Sequence, residues 1–243
     1  MVTSLNPPKE SLLVTVCARG GSKGVPNKNL RLIDGKPLIV HTLEHAQEWA
    51  GNHPIVVSTD SDEIAQVARD AGAQVPFDRP DELATDTAAK LPVLQHAVRK
   101  SESHFGNRYS TILDLDPTTP LRNVSDIEDC YQVFRANPEA KNAYTVYRSQ
   151  KSPYFNMVEL DENGYAHLSK DLDESVQRRQ DSPTVYSMNA SVYVYDRNFL
   201  LNTSRIHSDR TVVSVMPPER SVDIDRPLDF KFVKFLMESD SLD

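Results

Sequence analysis

The sequence predicts an α/β fold: a mainly parallel sheet with helices on both faces, with a small β-rich arm. Three observations carry the α/β assignment. Short apolar runs alternate with helix-length amphipathic segments through the first 140 residues, the rhythm of βαβ units. The first run, LLVTVCA, opens into a loop with three glycines, where open α/β sheets place their ligands. At 243 residues the chain is long enough for one sizeable domain with a smaller appendage.

After that loop, GKPLIVHTLEHAQEWAG reads as a helix with Pro37 in its first turn and Ile39, Leu43, Ala46 and Ala50 on one stripe. PIVVSTD is the second strand. It leads into the helix DSDEIAQVARDAG, where Asp60 and Glu63 have capping-box spacing and Gly72 suits the stop. AQVPF is a short third strand, and a further helix begins near Leu91 with Pro92 in its first turn. STILDLD is the fourth strand. Ser125 and Glu128 then cap SDIEDCYQVFRAN, which Pro138 terminates. AYTVYRS, YFNMVEL, the turn DENGY and the charged SKDLDESVQRRQDSP predict an inserted arm over residues 141–185. SVYVYDR and TVVSVM return to the main sheet, and RPLDFKFVKFLMES is a helix with Leu228, Phe232, Phe235 and Leu236 on one stripe. Residues 1–10 read as a flexible lead-in, so the main domain takes 11–140 and 186–243.

The formal charge of −8 argues against nucleic acid and anionic membrane as partners. Residues 11–40 break that trend, with Arg19, Lys23, Lys28, Arg31 and Lys36 against Asp34 alone. A compact basic loop in an acidic protein suits a small polyanion such as a nucleotide, although composition alone fits a solvated charged loop equally well. Cys17 and Cys130 are too few for a disulfide framework and have no company at zinc spacing, so a cytoplasmic protein is expected. The N-terminal apolar run is too short for a signal peptide or a membrane span.

The basic loop contains neither G-x-G-x-x-G nor a Walker motif, since Lys23 precedes Gly24 and no Ser or Thr follows. Hydride transfer and P-loop kinase chemistry are disfavoured. Arg19 can bridge phosphate oxygens with its planar fork. Asp223 and Asp225, two apart in extended chain, project from one face and can share a hard cation; their spacing alone also fits a surface turn.

CARGGSKGVPNKN closely resembles the nucleotide loop of the CMP-sialic acid synthetases, the acylneuraminate cytidylyltransferases. RPDELATDTA resembles that family's second nucleotide segment, DPTTPLR its sugar-site strand end, RRQDSPTVYSMNASVYV its substrate-capping region and SVDIDRPLD its metal segment. The five matches follow the family's order. The resemblance implies that Ala18, Arg19, Gly20, Gly21, Ser22, Lys23, Lys28 and Asn29 hold CTP, with Arg79, Asp86, Thr87 and Ala88 on the cytosine and ribose side. It implies Mg²⁺, or Mn²⁺, on Asp223 and Asp225, and catalysis by Arg19, Lys23 and these two acids. Asp116, Thr118, Arg179, Gln180, Asn189 and Tyr193 would face the sugar, and the arm would build a homodimer. Implied, therefore, is CMP transfer from CTP to the anomeric hydroxyl of a nine-carbon 2-keto acid sugar, releasing pyrophosphate.

The chain departs from the sialic acid enzymes at Cys17, Lys90 and Asp116, where they carry proline, serine and glutamine. An ionised Asp116 only accepts hydrogen bonds, so the sugar group opposite should present donors. LDLDPTTPLR, RRQDSP and MNAS resemble the legionaminic branch, so a legionaminate-type sugar is expected first and N-acetylneuraminate second. The rivals are a Kdo cytidylyltransferase, another transferase of the nucleotide-sugar fold, and a non-catalytic nucleotide-binding paralogue.

Overall fold

The computed structural model describes residues 11–170, 172, 178 and 181–240. In chain order it contains β1 (Leu12–Cys17), the short strands β2 (Leu32–Ile33) and β3 (Lys36–Pro37), α1 (Leu38–Ala50), β4 (Ile55–Ser58), α2 (Asp62–Asp70) and α3 (Lys90–Phe105). β5 (Thr111–Leu115), α4 (Val124–Arg135), β6 (Asn142–Arg148), β7 (Val158–Leu160), β8 (Ala166–Leu168) and β9 (Tyr186–Asp196) follow. α5 (Arg197–Asn202), β10 (Thr211–Val215) and α6 (Pro227–Asp240) complete the chain.

Six strands form one sheet in the order β10-β6-β9-β5-β1-β4. β1 runs parallel to β4 and β5, and β10 parallel to β6, while β9 is antiparallel to both of its neighbours. Strand alternation sorts the core. Val14 and Val16 of β1 pack with Ile39, Leu43 and Ile127 on one side of the sheet, and Leu13 packs with Leu94, Val98 and Ile112 on the other. Thr15 pairs in register with Asp114, so the second face turns polar toward the carboxyl ends of the strands. Among the described residues no helix is long and apolar enough to cross a membrane.

Five sequence expectations are corrected. AQVPF is no strand: Gln74 makes a single bridge to Val56, and Pro76, without an N–H, cannot extend the ladder. Ser61 rather than Asp60 caps α2, accepting from the Ile64 N–H at 3.3 Å. Asn123 and Asp126 rather than Ser125 and Glu128 form the capping box of α4. AYTVYRS, assigned to the arm, is β6 inside the main sheet, so residues 142–148 belong with the main domain. In α6 the buried face is Phe230 and Val233, packed on Val25, Ile33, Leu38 and Ile224, whereas Leu228, Phe232 and Phe235 are exposed.

Candidate active site

β1 leads through α1 to β4 on one flank, and the chain then returns to β5 on the other. The carboxyl ends of β1 and β5 thus form the topological switch point at which open α/β sheets bind ligands. A cleft of about 350 Å³ lies there, walled by Arg19, Ser22, Lys23, Gly24, Lys28 and Asn29 from the basic loop and by Arg79, Asp86 and Ala88 from the second segment. Lys90, Asp114, Asp116, Thr118 and Asp225 complete it.

The loop is held from several sides. Ala18 N–H donates to Ser58 O at 3.0 Å, Gly20 N–H to Asp60 Oδ1 at 3.0 Å, and Asn29 Nδ2 to Arg19 O at 3.1 Å. Asp60 therefore serves the loop instead of capping the helix. Arg19 Nη1 lies 2.7 Å from Asp86 Oδ1 and Lys23 Nζ 2.6 Å from Asp86 Oδ2. The hydrogen bond from Lys23, partly opposed by desolvation and reinforced by Arg19, holds the Asp86 carboxyl below its ordinary range. The two cations best placed for phosphate oxygens thus converge on an internal carboxylate, which shows that their geometry accepts a bridging anion.

Asp223 and Asp225 flank Ile224, which is fully buried. Ile224 N–H donates to Thr118 O at 2.9 Å, and Lys28 Nζ donates to Ile224 O, so the segment is pinned with its acids on either side of the anchor. Lys28 Nζ is also 3.9 Å from Asp225 Oδ1. Thr118 Oγ1 lies 2.9 Å from Asp116 Oδ1 and also contacts Asp223 Oδ1, linking the two carboxylates. Burial, and repulsion from Asp116 and Asp225, push Asp223 up to about 6. This surplus of hard-oxygen negative charge fits a divalent cation. Among the described residues no group of three or more His, Cys, Asp or Glu side chains could enclose a metal.

Several expected residues, Asp223 among them, stand outside the cleft wall or turn their polar groups away from it. Asn189 is buried, with its amide committed to Thr145 at 2.7 Å, Ser221 at 3.0 Å and Met216 at 3.1 Å; it ties β6 and β9 to the chain after β10. Tyr193 is buried beneath Lys90, its ring centroid 4.0 Å from Nζ. Ala18 is buried and works through its backbone, and the Thr87 hydroxyl turns to Thr85 at 3.4 Å. Gly21 is exposed, with open space where a Cβ would stand. The Arg79 guanidinium turns inward to Ser58, with Nε at 3.2 Å from Oγ. Arg179 and Gln180 lie outside the described residues.

Two residues absent from the expected set are built into the site. Asp114 is an acid at an inward strand position, 1% exposed, and accepts from Lys90 at 2.9 Å and from the Thr15 hydroxyl at 2.8 Å. Arg122, equally buried, donates to Asp116 O at 2.8 Å, to Thr119 and Ser191, and to Thr42 of α1. An acid within the otherwise apolar TILDL was the available signal for the first. The second had none beyond its place in DPTTPLR. Cys17, behind the loop, is pushed up to about 12 by burial and by Asp114, and so is no nucleophile.

Fold and cleft together define an α/β protein that handles a nucleotide at a strand-end crevice. The family model described as cytidylyltransferase matches residues 13–238, and the chain belongs to that family of enzymes. It is 42% identical over 231 residues, 95% of this chain and 97% of the relative, to the CMP-N,N'-diacetyllegionaminic acid synthase of Campylobacter jejuni subsp. jejuni. It is 30% identical over 224 residues, 92% of this chain and 51% of the relative, to the N-acylneuraminate cytidylyltransferase of Escherichia coli. Among solved structures, a CMP:2-keto-3-deoxy-manno-octonic acid synthetase complexed with CTP superposes with a TM-score of 0.69 at 20% identity, covering 95% of this chain and 100% of the other.

Proposed function

We propose that the protein transfers CMP from CTP to the anomeric hydroxyl of a nine-carbon 2-keto-3-deoxy acid sugar of the legionaminic type, releasing pyrophosphate. The observation that carries this reading is a cleft with Arg19, Lys23 and Lys28 on one side and Asp225 on another, with Asp223 behind Thr118 of its wall, in a cytidylyltransferase 42% identical to a legionaminic acid synthase. N-acetylneuraminate is the second sugar, consistent with the lower 30% identity to a neuraminate enzyme. Likeness to the Kdo synthetase speaks for the fold alone.

In this reading Arg19 and Lys23 exchange Asp86 for phosphate oxygens and stabilise charge growing on the leaving pyrophosphate. Lys28 keeps Ile224 and its flanking acids in place. Asp223 and Asp225 hold Mg²⁺, or Mn²⁺, which when bound supplies Lewis-acid polarisation of phosphate and activation of the attacking hydroxyl. The Arg79–Ala88 segment takes the cytidine. A homodimer is supported by the β7–β8 hairpin, whose Val158, Leu160 and Leu168 face outward. The two unpaired cysteines and the demand for CTP favour the cytoplasm.

Pyrophosphate release from CTP and Mg²⁺, with diacetyl-legionaminate, N-acetylneuraminate, pseudaminate and Kdo offered in parallel and the CMP-sugar confirmed by mass spectrometry, tests the reading. Fastest turnover of legionaminate supports it. A neuraminate preference keeps cytidylyl transfer and reverses the sugar order, and no pyrophosphate with any sugar overturns it.

A further inference from the structure

The cleft floor carries a further charge arrangement beside the basic loop. Lys90, the first residue of α3, reaches Asp114 Oδ2 at 2.9 Å and Asp116 Oδ2 at 3.1 Å. Asp114 is sealed from solvent and spends its other oxygen on Thr15. Asp116 Oδ1 accepts both the N–H and the hydroxyl of Thr118, at 3.2 and 2.9 Å. Each carboxylate oxygen has two acceptor sites: Oδ1 of Asp116 takes the Thr118 N–H and shares the single Thr118 hydroxyl proton with Asp223, while Oδ2 keeps one site beside Lys90, on a residue that lines the cleft.

An electrostatic difficulty follows. The cleft must admit a triphosphate and a sugar that is itself a carboxylate, yet two bare carboxylates in its floor would repel both. Lys90 offsets one of the two negative charges and so weakens that repulsion at its source. Burial works against its charge, but Asp114 and Asp116 outweigh burial and hold its pKa well above the ordinary range. Burial likewise opposes the charge of Asp116, and Lys90 with Thr118 overcomes it.

We propose that Lys90 is a positioning and specificity residue for the acid sugar: by offsetting the charge of the Asp114–Asp116 pair it lets the Asp116 carboxylate accept an N–H or O–H of the sugar inside an anion-binding cleft. This rests on the function proposed above and deepens it. Lys90 and Asp116 are then one recognition unit, and an exchange at Asp116 alone alters both the acceptor and the charge of the floor, leaving Lys90 paired with Asp114.

The test compares K90M, K90R, D116N and K90M/D116N by melting temperature, CTP affinity from calorimetry, and kcat and KM for diacetyl-legionaminate. K90M is expected to raise the sugar KM about tenfold or more while leaving CTP affinity within about twofold, and K90R to recover most of the loss. D116N placed on K90M should improve it about threefold, because the uncompensated charge is gone; this sign is opposite to additivity. An unchanged sugar KM in K90M, additive effects in the double variant, or equal losses of CTP and sugar affinity would each overturn the inference while leaving cytidylyl transfer standing. Should K90M fail to fold, K90R and D116N decide: a preserved KM in K90R with a raised KM in D116N supports the unit, and any other pattern sinks it. Absence of turnover by the unaltered protein with every acid sugar would overturn the underlying reading and this inference with it.

Discussion

Gly24 lies so close to the backbone of Asp225 that a Cβ on the glycine would overlap the Asp225 carbonyl oxygen. The basic loop and the acidic segment are therefore in direct backbone contact, and the glycine that matters most for the site is set by packing. Gly24→Ala must push the two apart, and a displacement of about 1 Å at reacting groups costs on the order of a hundredfold in rate. Steady-state kinetics should show a loss of that order, whereas Gly21→Ala, with nothing within 4 Å, should stay near the unaltered rate. Equal effects at the two glycines would refute the contact argument.

Asp86 competes with phosphate for Arg19 and Lys23. Asp86→Asn frees both cations, and CTP should bind more tightly by calorimetry, with a steeper dependence on salt. Weaker binding would show that Asp86 holds the cations in the orientation the nucleotide needs.

Much of the architecture was legible because period and punctuation agreed: strands of four to eight apolar residues, helices with one stripe, glycines at stops. The failures have physical causes. α6 is apolar on two faces, one through Leu228, Phe232 and Phe235 and the other through Phe230 and Val233, and periodicity cannot choose between them. At α2 and α4 several cap-forming residues stand side by side, so backbone geometry decides which one caps. In the site, the contiguous loop was readable, while Lys90 with Asp114 and Thr118 with Asp223 join residues far apart in the chain and become neighbours only through the sheet. Asn189 falls within a matched segment, yet the irregular pairing of β6 with β9, with Ala190 at φ 51°, accompanies an amide committed to the interior.

His45 supplies a pH dependence of stability. Burial, then repulsion from Arg122 and His41, lowers its pKa from 6.5 to about 4. The unfolded chain therefore binds the proton more tightly, so the stability tied to neutral His45 is complete above about pH 6.5 and is lost as pH falls toward 4. The shift corresponds to about 3 kcal/mol at most, less because the side chain is only half-buried. His45→Leu should flatten the acid limb of a urea-denaturation series between those pH values. An unchanged limb would mean that the imidazole is solvated.

The β7–β8 hairpin has two three-residue strands with every residue exposed, including Leu160 at 69%. Isolated two-stranded hairpins are marginal in water, so its apolar residues require cover, which the proposed dimer would supply. Leu160→Glu should weaken self-association about tenfold or more in sedimentation velocity. A monomer before substitution would discard the dimer.

Asp223 and Asp225 differ in a way that separates metal binding from folding. Asp225 is exposed, with 75% of its side-chain surface accessible, so its removal should cost little stability. Asp223 is disfavoured as an anion in the fold, with a pKa pushed up to about 6 by burial and by its acidic neighbours. Raised above the unfolded value, it weakens the metal-free protein once pH exceeds about 6, so Asp223→Asn should leave the melting temperature at pH 7 unchanged or higher. Both Asp223→Asn and Asp225→Ala should nevertheless lower CTP turnover about a hundredfold or more, as should a chelator in the unaltered protein, with excess Mg²⁺ reversing only the chelator. Loss of activity with folding intact separates a metal site from a structural acid pair. Undiminished turnover in the presence of chelator, or in Asp225→Ala, would remove the cation from the mechanism and leave Arg19 and Lys23 to carry the charge alone.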